Sequence, residues 1–352
     1  MTCLPASRPP AVAAARPARV LAAAGLAFAL IAGCAAPAPE LQPDPPPAVP
    51  PPAVLEEQTA RVLGGVSETI VAATNAGSVD GLGRIAGVAS EMRTAEFAMH
   101  AADPEQADLE PLGGEFAGTM IPATSIWPRS LIAVTVPSDS GAQYLYLVTQ
   151  TDPRTPYALT AWVRLLAGVT LPETAPADVG SLTVAMDAAD GLTISPGAAL
   201  AAYAEVKDAP GSPNSALFAG TDPARDAWTA LVERWGSALA PIDGTVRPSS
   251  STNAAEAYAL ATADGGAIAV GVIRSSLTLE IPGDTEGQSF SLAPYFGALG
   301  ADNTIVTKAA TIEFVQPVAL AIPAAGSEAP VSVLGVSQVP VSARTAVKTP
   351  SS

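Results

Sequence analysis

Gln143-Tyr144-Leu145-Tyr146-Leu147-Val148-Thr149-Gln150-Thr151 is the stretch on which the fold class turns. Aromatic and branched side chains fit a pleated, half-buried surface better than a helix, so residues 143–151 read as a strand. Ser138-Asp139-Ser140-Gly141 before it and Asp152-Pro153-Arg154 after it are turn material. Outward from there, the period of two continues through residues 115–121, 126–136 and 157–167. Successive strands separated by short turns predict an antiparallel meander.

The period changes on both sides of this block. Upstream, Leu55, Val62, Leu63, Val66 and Ile70 recur at helical spacing, which predicts a helix over residues 53–74 closed by Asn75 and Gly77. Val88, Met92, Ala95 and Met99 predict further helical structure over residues 80–100. Downstream of a looser connection, Ser195-Pro196 and Asp222-Pro223 are each an N-cap followed by a proline at the first helical position. The second pair opens a helix marked by Trp228, Leu231, Val232, Trp235 and Leu239, in which the two tryptophans are expected to be core anchors. Strands return over residues 245–250, 255–262, 267–281, 304–322 and 331–345, with Asp264-Gly265-Gly266 as a hairpin turn. The predicted class is α+β: two consecutive halves, residues 53–172 and 173–346, each with helices on an antiparallel sheet in cystatin-like or NTF2-like outline. Residues 347–352 are expected to be a disordered tail.

Composition limits the partners. The chain has 352 residues, 49% hydrophobic and 14% charged, enough apolar content for a packed core. Arg8, Arg16 and Arg19 sit in a leading segment without acids; the rest holds 14 basic against 33 acidic residues, a balance of −19. So acidic a surface repels phosphate backbones, and nucleic acid is an unexpected partner.

Val20 to Gly33 run fourteen residues without a charge, short for a membrane span of about 20 and suited to a signal peptide. Ile31-Ala32-Gly33-Cys34 then resembles a bacterial lipobox. Residues 1–33 are therefore read as a lipoprotein signal peptide, cleaved between Gly33 and Cys34, with fatty chains such as palmitate on Cys34. Two or three such chains hold a protein stably at a bilayer where one does not. Residues 34–52 are Pro-rich and favour polyproline II, which at about 3.1 Å per residue spans about 50 Å. Cys3 falls in the leader, so the mature body has no thiol and rests on its core alone.

Trp127-Pro128-Arg129, Leu147-Val148-Thr149-Gln150, Tyr157-Ala158-Leu159, Leu165-Leu166-Ala167-Gly168-Val169-Thr170-Leu171-Pro172, and Ser195-Pro196 with Tyr203 carry a resemblance. Together they resemble uncharacterised lipoproteins of high-GC Gram-positive bacteria that share a domain of unknown function. The resemblance spans most of residues 53–345. It implies an exported, anchored α+β body and supplies no reaction and no site residues.

The chemical inventory is thin. His100 is the one histidine, which leaves no second imidazole for a catalytic or zinc set. Ser67 lies on an amphipathic helix and not on a nucleophile elbow. Gly81-Leu82-Gly83-Arg84-Ile85-Ala86-Gly87 has its third glycine one place late for a dinucleotide loop, and no strand precedes it. Asp187 with Asp190, and Asp284 with Glu286, are the close acid pairs, and both suit turns better than calcium. No cofactor is expected. The expectation is a non-catalytic lipoprotein on the extracytoplasmic side of the cell membrane, binding an envelope protein or a small apolar ligand. The alternatives are a hydrolase whose carboxylates converge in the fold, and a transporter substrate-binding lipoprotein with two α/β lobes. Oligomeric state is not legible.

Overall fold

Neighbouring residues of the 143–151 stretch go to opposite faces of one sheet, and both faces are covered. The computed structural model describes residues 50–220, 222–282 and 287–346. In it, Tyr144, Tyr146 and Val148 pack in one apolar cluster, and Leu145 and Leu147 in another.

The described chain opens with α1 (Glu56–Ala76) and α2 (Gly87–Ala102). α1 ends at Gly77, whose φ of 63° is the left-handed conformation that glycine adopts without a Cβ penalty. Leu63, Val66 and Ile70 form its buried stripe together with Thr59 and Ala73. Leu55 was expected in that stripe. It precedes the helix as the N-cap and is 55% exposed, because the helix begins one residue later.

Four strands follow in one antiparallel sheet of order β1 (Phe116–Met120), β3 (Arg129–Thr135), β4 (Tyr144–Gln150) and β5 (Ala158–Arg164). The two-residue β2 (Pro122–Ala123) pairs in parallel with β6 (Ser181–Leu182). Next come α3 (Pro196–Asp208) and α4 (Pro223–Leu239). Ser195 Oγ accepts from the Ala198 N–H at 3.4 Å, and Asp222 Oδ1 accepts from the N–H groups of Ala224 and Arg225 at 3.1 and 3.2 Å. Both Ser/Asp-Pro pairs are therefore working caps.

The second large sheet contains β7 (Thr245–Thr252), β8 (Tyr258–Ala261), β9 (Ala267–Glu280), β12 (Ala309–Ile322), β13 (Ser332–Val336) and β14 (Val339–Ala346). A small pair, β10 (Phe290–Ser291) and β11 (Ile305–Val306), flanks it. The order is β13-β12-β9-β7, with β14 also on β12 and β8 also on β9, all antiparallel. The class is α+β, as the alternation of helix runs and strand runs predicts.

The layers run helices, sheet, sheet, helices. α1 and α2 cover one face of the first sheet. The other face meets the second sheet through Leu145, Leu147 and Val163 against Ile268, Val270 and Ala319. α3 and α4 cover the far face of the second sheet. A Cβ at Gly271 on β9 would strike the Leu200 side chain of α3, so the glycine sets how closely that helix sits. Val272, Val315 and Val339 of the second sheet belong to the same cluster as α1 and α2, and the described residues belong to one compact unit. Arg274 on β9 adds a surface tie, donating to both oxygens of Glu91 on α2 at 3.0 Å and to Glu256 at 2.7 Å.

The expected strand over residues 331–345 is two strands on one edge. β14 pairs with residues 309–315 of β12 and β13 with residues 318–321. The break lies opposite Pro317. Its carbonyl accepts from the Ser337 N–H at 3.0 Å, so the nitrogen on the same side of the strand faces that edge as well, and it carries no hydrogen to donate. Ser337 and Gln338 fill the gap. β13 continues onto the end of β5: the Leu166 N–H donates to the Leu334 carbonyl at 2.9 Å, and the Arg164 N–H to Ser337 Oγ at 2.9 Å.

Candidate functional site

A cavity of about 370 Å³ opens where α2, the loop after it and the end of β5 meet the β13–β14 break and the short helical turn Pro294–Leu299. Its volume falls within the range of small-molecule sites. Glu96 and Met99 come from α2, Glu110 from the loop, Trp162 and Arg164 from β5, and Gln338 from the break.

Glu96 owes its position to helical spacing. It follows Met92 by four residues on the buried face of α2, beside Arg93. Arg93 is 2% exposed and Glu96 6%. Arg93 Nη1 donates to Glu96 Oε2 at 2.7 Å and to the Glu110 carbonyl at 2.9 Å, and Nη2 donates to Thr74 Oγ1 at 2.9 Å. One guanidinium thus fixes α1, α2 and the loop. Burial pushes the Glu96 carboxyl up to about 7, against the opposing pull of Arg93 and with the charge of Glu110 adding to the rise. Near neutral pH this group both donates and accepts hydrogen bonds.

Glu110 is held from the first sheet. The Tyr144 hydroxyl donates to Glu110 Oε1 at 2.6 Å, and Arg164 Nη1 reaches the same oxygen at 3.3 Å. Burial, and then the hydrogen bond to Glu110, push the Tyr144 hydroxyl up, so it stays a donor. The Gly113 N–H donates to the Tyr146 hydroxyl at 2.7 Å and clamps the far end of the loop. Trp162 is 1% exposed, and its indole N–H has no acceptor among the described residues. A buried donor left unpaired costs about 1–3 kcal/mol, and this one lies sealed behind the cavity wall.

A second polar group lies under α3. Lys207 Nζ donates to Ser275 Oγ at 3.0 Å, lies 3.2 Å from Asp208 Oδ1 and sits 3.5 Å from the centre of the Trp228 ring. Ser250 and Gln316 extend it, with Ser250 Oγ 2.8 Å from Ser275 Oγ and the latter donating to Gln316 Oε1 at 2.5 Å. Burial pushes the Lys207 ammonium down to about 8. A serine beside such a lysine has the makings of a nucleophile. Lys207 and Ser275 are 3% exposed and Gln316 1%, however, so the group is sealed and acts within the core.

The residues singled out from sequence fall mostly elsewhere. Gly33 and Cys34 lie outside the described residues, as does the Asp284–Glu286 pair. His100 is in the last turn of α2, with Nδ1 2.8 Å from the Ala107 carbonyl. Ser67 Oγ donates to the Gly114 carbonyl at 3.3 Å. Gly81 to Ala86 form a connector, and Gly87 starts α2. Asp187 and Asp190 are exposed in turns, and among the described residues no three His, Cys, Asp or Glu side chains gather around a metal position. Trp228 is buried at 1%, whereas Trp235 is half-buried and lines a cavity, a correction to its reading as a core anchor. Its ring stays at the margin of the cluster that holds Trp228, edge-on to Phe290 at 6.0 Å, while Leu239 one turn further along is fully buried.

Sequence reading passed over Glu96, Glu110, Trp162 and Arg164. The available signal was Arg93 and Glu96 interleaved with Val88, Met92, Ala95 and Met99, two charges on an apolar helix face. Among the described residues no helix is long and apolar enough to cross a membrane.

Fold and cleft together define an α+β protein with a polar, ligand-sized cavity where its two sheets meet. The chain belongs to the family described as Domain of unknown function (DUF8094), which it matches over residues 77–344. No curated protein and no solved structure matches it.

Proposed function

We propose that the protein is a lipoprotein, anchored through Cys34 on the extracytoplasmic side of the cell membrane, whose body binds a small ligand in the cleft between Glu96 and Trp162. The carrying observation is that cleft: a cavity of about 370 Å³ lined by the Glu96 and Glu110 carboxyls, the Gln338 amide and the Tyr295 phenol. The order of basic leader, fourteen uncharged residues and Ile31-Ala32-Gly33-Cys34 supports the anchor. The Pro-rich stretch before the body supports a spacer. Metabolic labelling with a fatty-acid analogue tests the anchor: wild type incorporates label and stays with the membrane, and Cys34→Ala loses both. Equal labelling of the two refutes it. Native mass spectrometry of protein released gently from its membrane tests the cleft. An adduct that Trp162→Phe loses supports the reading, and an adduct indifferent to that change removes the cleft from it.

A second reading has one observation in its favour. Glu96 and Glu110 line a single cleft, and the Glu96 carboxyl is held near 7, as a general acid requires. Against it, Glu96 is tied to Arg93 and Glu110 to Tyr144 and Arg164. Hydrolysis of chromogenic glycosides by wild type, abolished in both Glu96→Gln and Glu110→Gln, would establish this reading over simple binding.

A further inference from the structure

The cleft has a neighbour. A second cavity of about 480 Å³ lies between α4 and the second sheet, and Tyr295, Gln338 and Pro340 line both cavities. The two differ in character. The neighbour is walled by Leu231 and Trp235 of α4, by Phe296, and by Ile312 and Phe314 of β12. Trp235 meets the Phe290 ring edge-on at 6.0 Å, and Tyr295 lies 4.7 Å from Phe296. The walls are thus mostly aromatic and aliphatic, with Arg234 among them, while the cleft offers carboxyl, amide and phenol groups.

We propose that the two cavities form one groove that holds a single-chain amphiphile, with its headgroup in the Glu96–Trp162 cleft and its chain between α4 and β12. This rests on the reading of the cleft as a ligand site and adds the ligand's class. Burial of the chain takes its methylenes out of water, so a medium-length chain gives usable affinity without a charged contact. The headgroup is uncharged and bears hydroxyls. Arg93 is buried against Glu96 and Arg164 pairs with Glu110, while Arg234 lines the chain end of the groove and not the cleft. Asp108 and Glu110 on the same wall repel an anion. The Glu96 carboxyl, the Gln338 amide and the Tyr295 phenol, all lining the cleft, each both give and take hydrogen bonds, as hydroxyl recognition needs.

The test uses the full chain held in lipid nanodiscs and a dodecyl glucoside carrying a diazirine at the end of its chain, applied at micromolar concentration and photo-crosslinked. Peptide mapping by mass spectrometry is expected to place the label on Leu231, Trp235 or Phe296. Labelling should fall at least fivefold in Trp235→Ala and in Trp162→Phe, with Glu96→Gln as a second, milder change at the head end and circular dichroism showing each variant folded. Excess unlabelled dodecyl glucoside should compete, and glucose should not. Label confined to the cleft and untouched by Trp235→Ala overturns the groove and leaves the cleft as the site. Label indifferent to both ends overturns the groove and the cleft together. Equal labelling by the dodecylphosphocholine analogue overturns the assignment of an uncharged headgroup.

Discussion

Gly335 of β13 lies against the backbone of Arg164 at the end of β5, so close that a Cβ on Gly335 would strike the Arg164 carbonyl oxygen and sit 2.8 Å from the Leu165 Cα. This contact joins the two sheets at the edge of the cleft. Gly335→Ala has only backbone to push against, with no flexible side chain to yield. Its expected cost is about 2–3 kcal/mol, the upper part of the range for overpacking. The urea midpoint at constant slope measures it. A change below about 0.5 kcal/mol would show that the strands separate there freely.

Lys207 gives the molecule a pH dependence on the alkaline side. Its folded-state value of about 8 lies below the ordinary 10.5, so the buried ammonium opposes folding. The penalty is full below about pH 8 and fades as the pH rises toward 10.5. The stability of wild type relative to Lys207→Met should therefore climb over that window, by roughly 3 kcal/mol at most. Parallel stability curves for the two proteins between pH 7.5 and 10 would contradict it. Asp208, Ser250 and Ser275 keep their mutual contacts in the variant, which confines the difference to the ammonium.

Glu96 acts on the acid side. Its carboxyl is raised from 4.5 to about 7, so the folded protein holds this proton more tightly than the unfolded chain. The stability tied to it is complete below pH 4.5 and lost as the pH passes about 7. Glu96→Gln keeps an acceptor for Arg93 and removes the titration. The difference between wild type and variant should decline by about 3 kcal/mol from pH 4.5 to 7.5, read from denaturant midpoints at intervals of half a unit.

Asp222 is 1% exposed and accepts two N–H bonds at the start of α4. Asp222→Ala should cost about 1 kcal/mol, while Asp222→Asn, an equally good cap, should cost little. Because α4 carries one wall of the proposed groove, the alanine variant should also label more weakly with the diazirine probe.

Much of the architecture is legible in the chain. Ser195-Pro196 and Asp222-Pro223 mark helix starts because capping is decided by residues within one turn. Tyr144 to Val148 read as a strand because side-chain type and period agree. The cleft is illegible for the opposite reason. Glu96, Glu110, Trp162 and Arg164 are spread over 69 positions, and what makes them a site is a meeting of helix, loop and strand that no local pattern encodes. Trp235 illustrates the same limit. Spacing places it with Trp228 on one face of α4, but which side chain of that face the sheet covers is a tertiary fact.

Pro317 is where local chemistry shapes the whole surface. An imino nitrogen in the middle of β12 denies its neighbour one rung, and the ladder lapses for two residues without a change of register. Gln338, in that lapse, lines both cavities. An ordinary amino acid there would let the edge zip shut from end to end. The interruption of the ladder beside both cavities is thus traced to a single hydrogen atom that the ring does not carry.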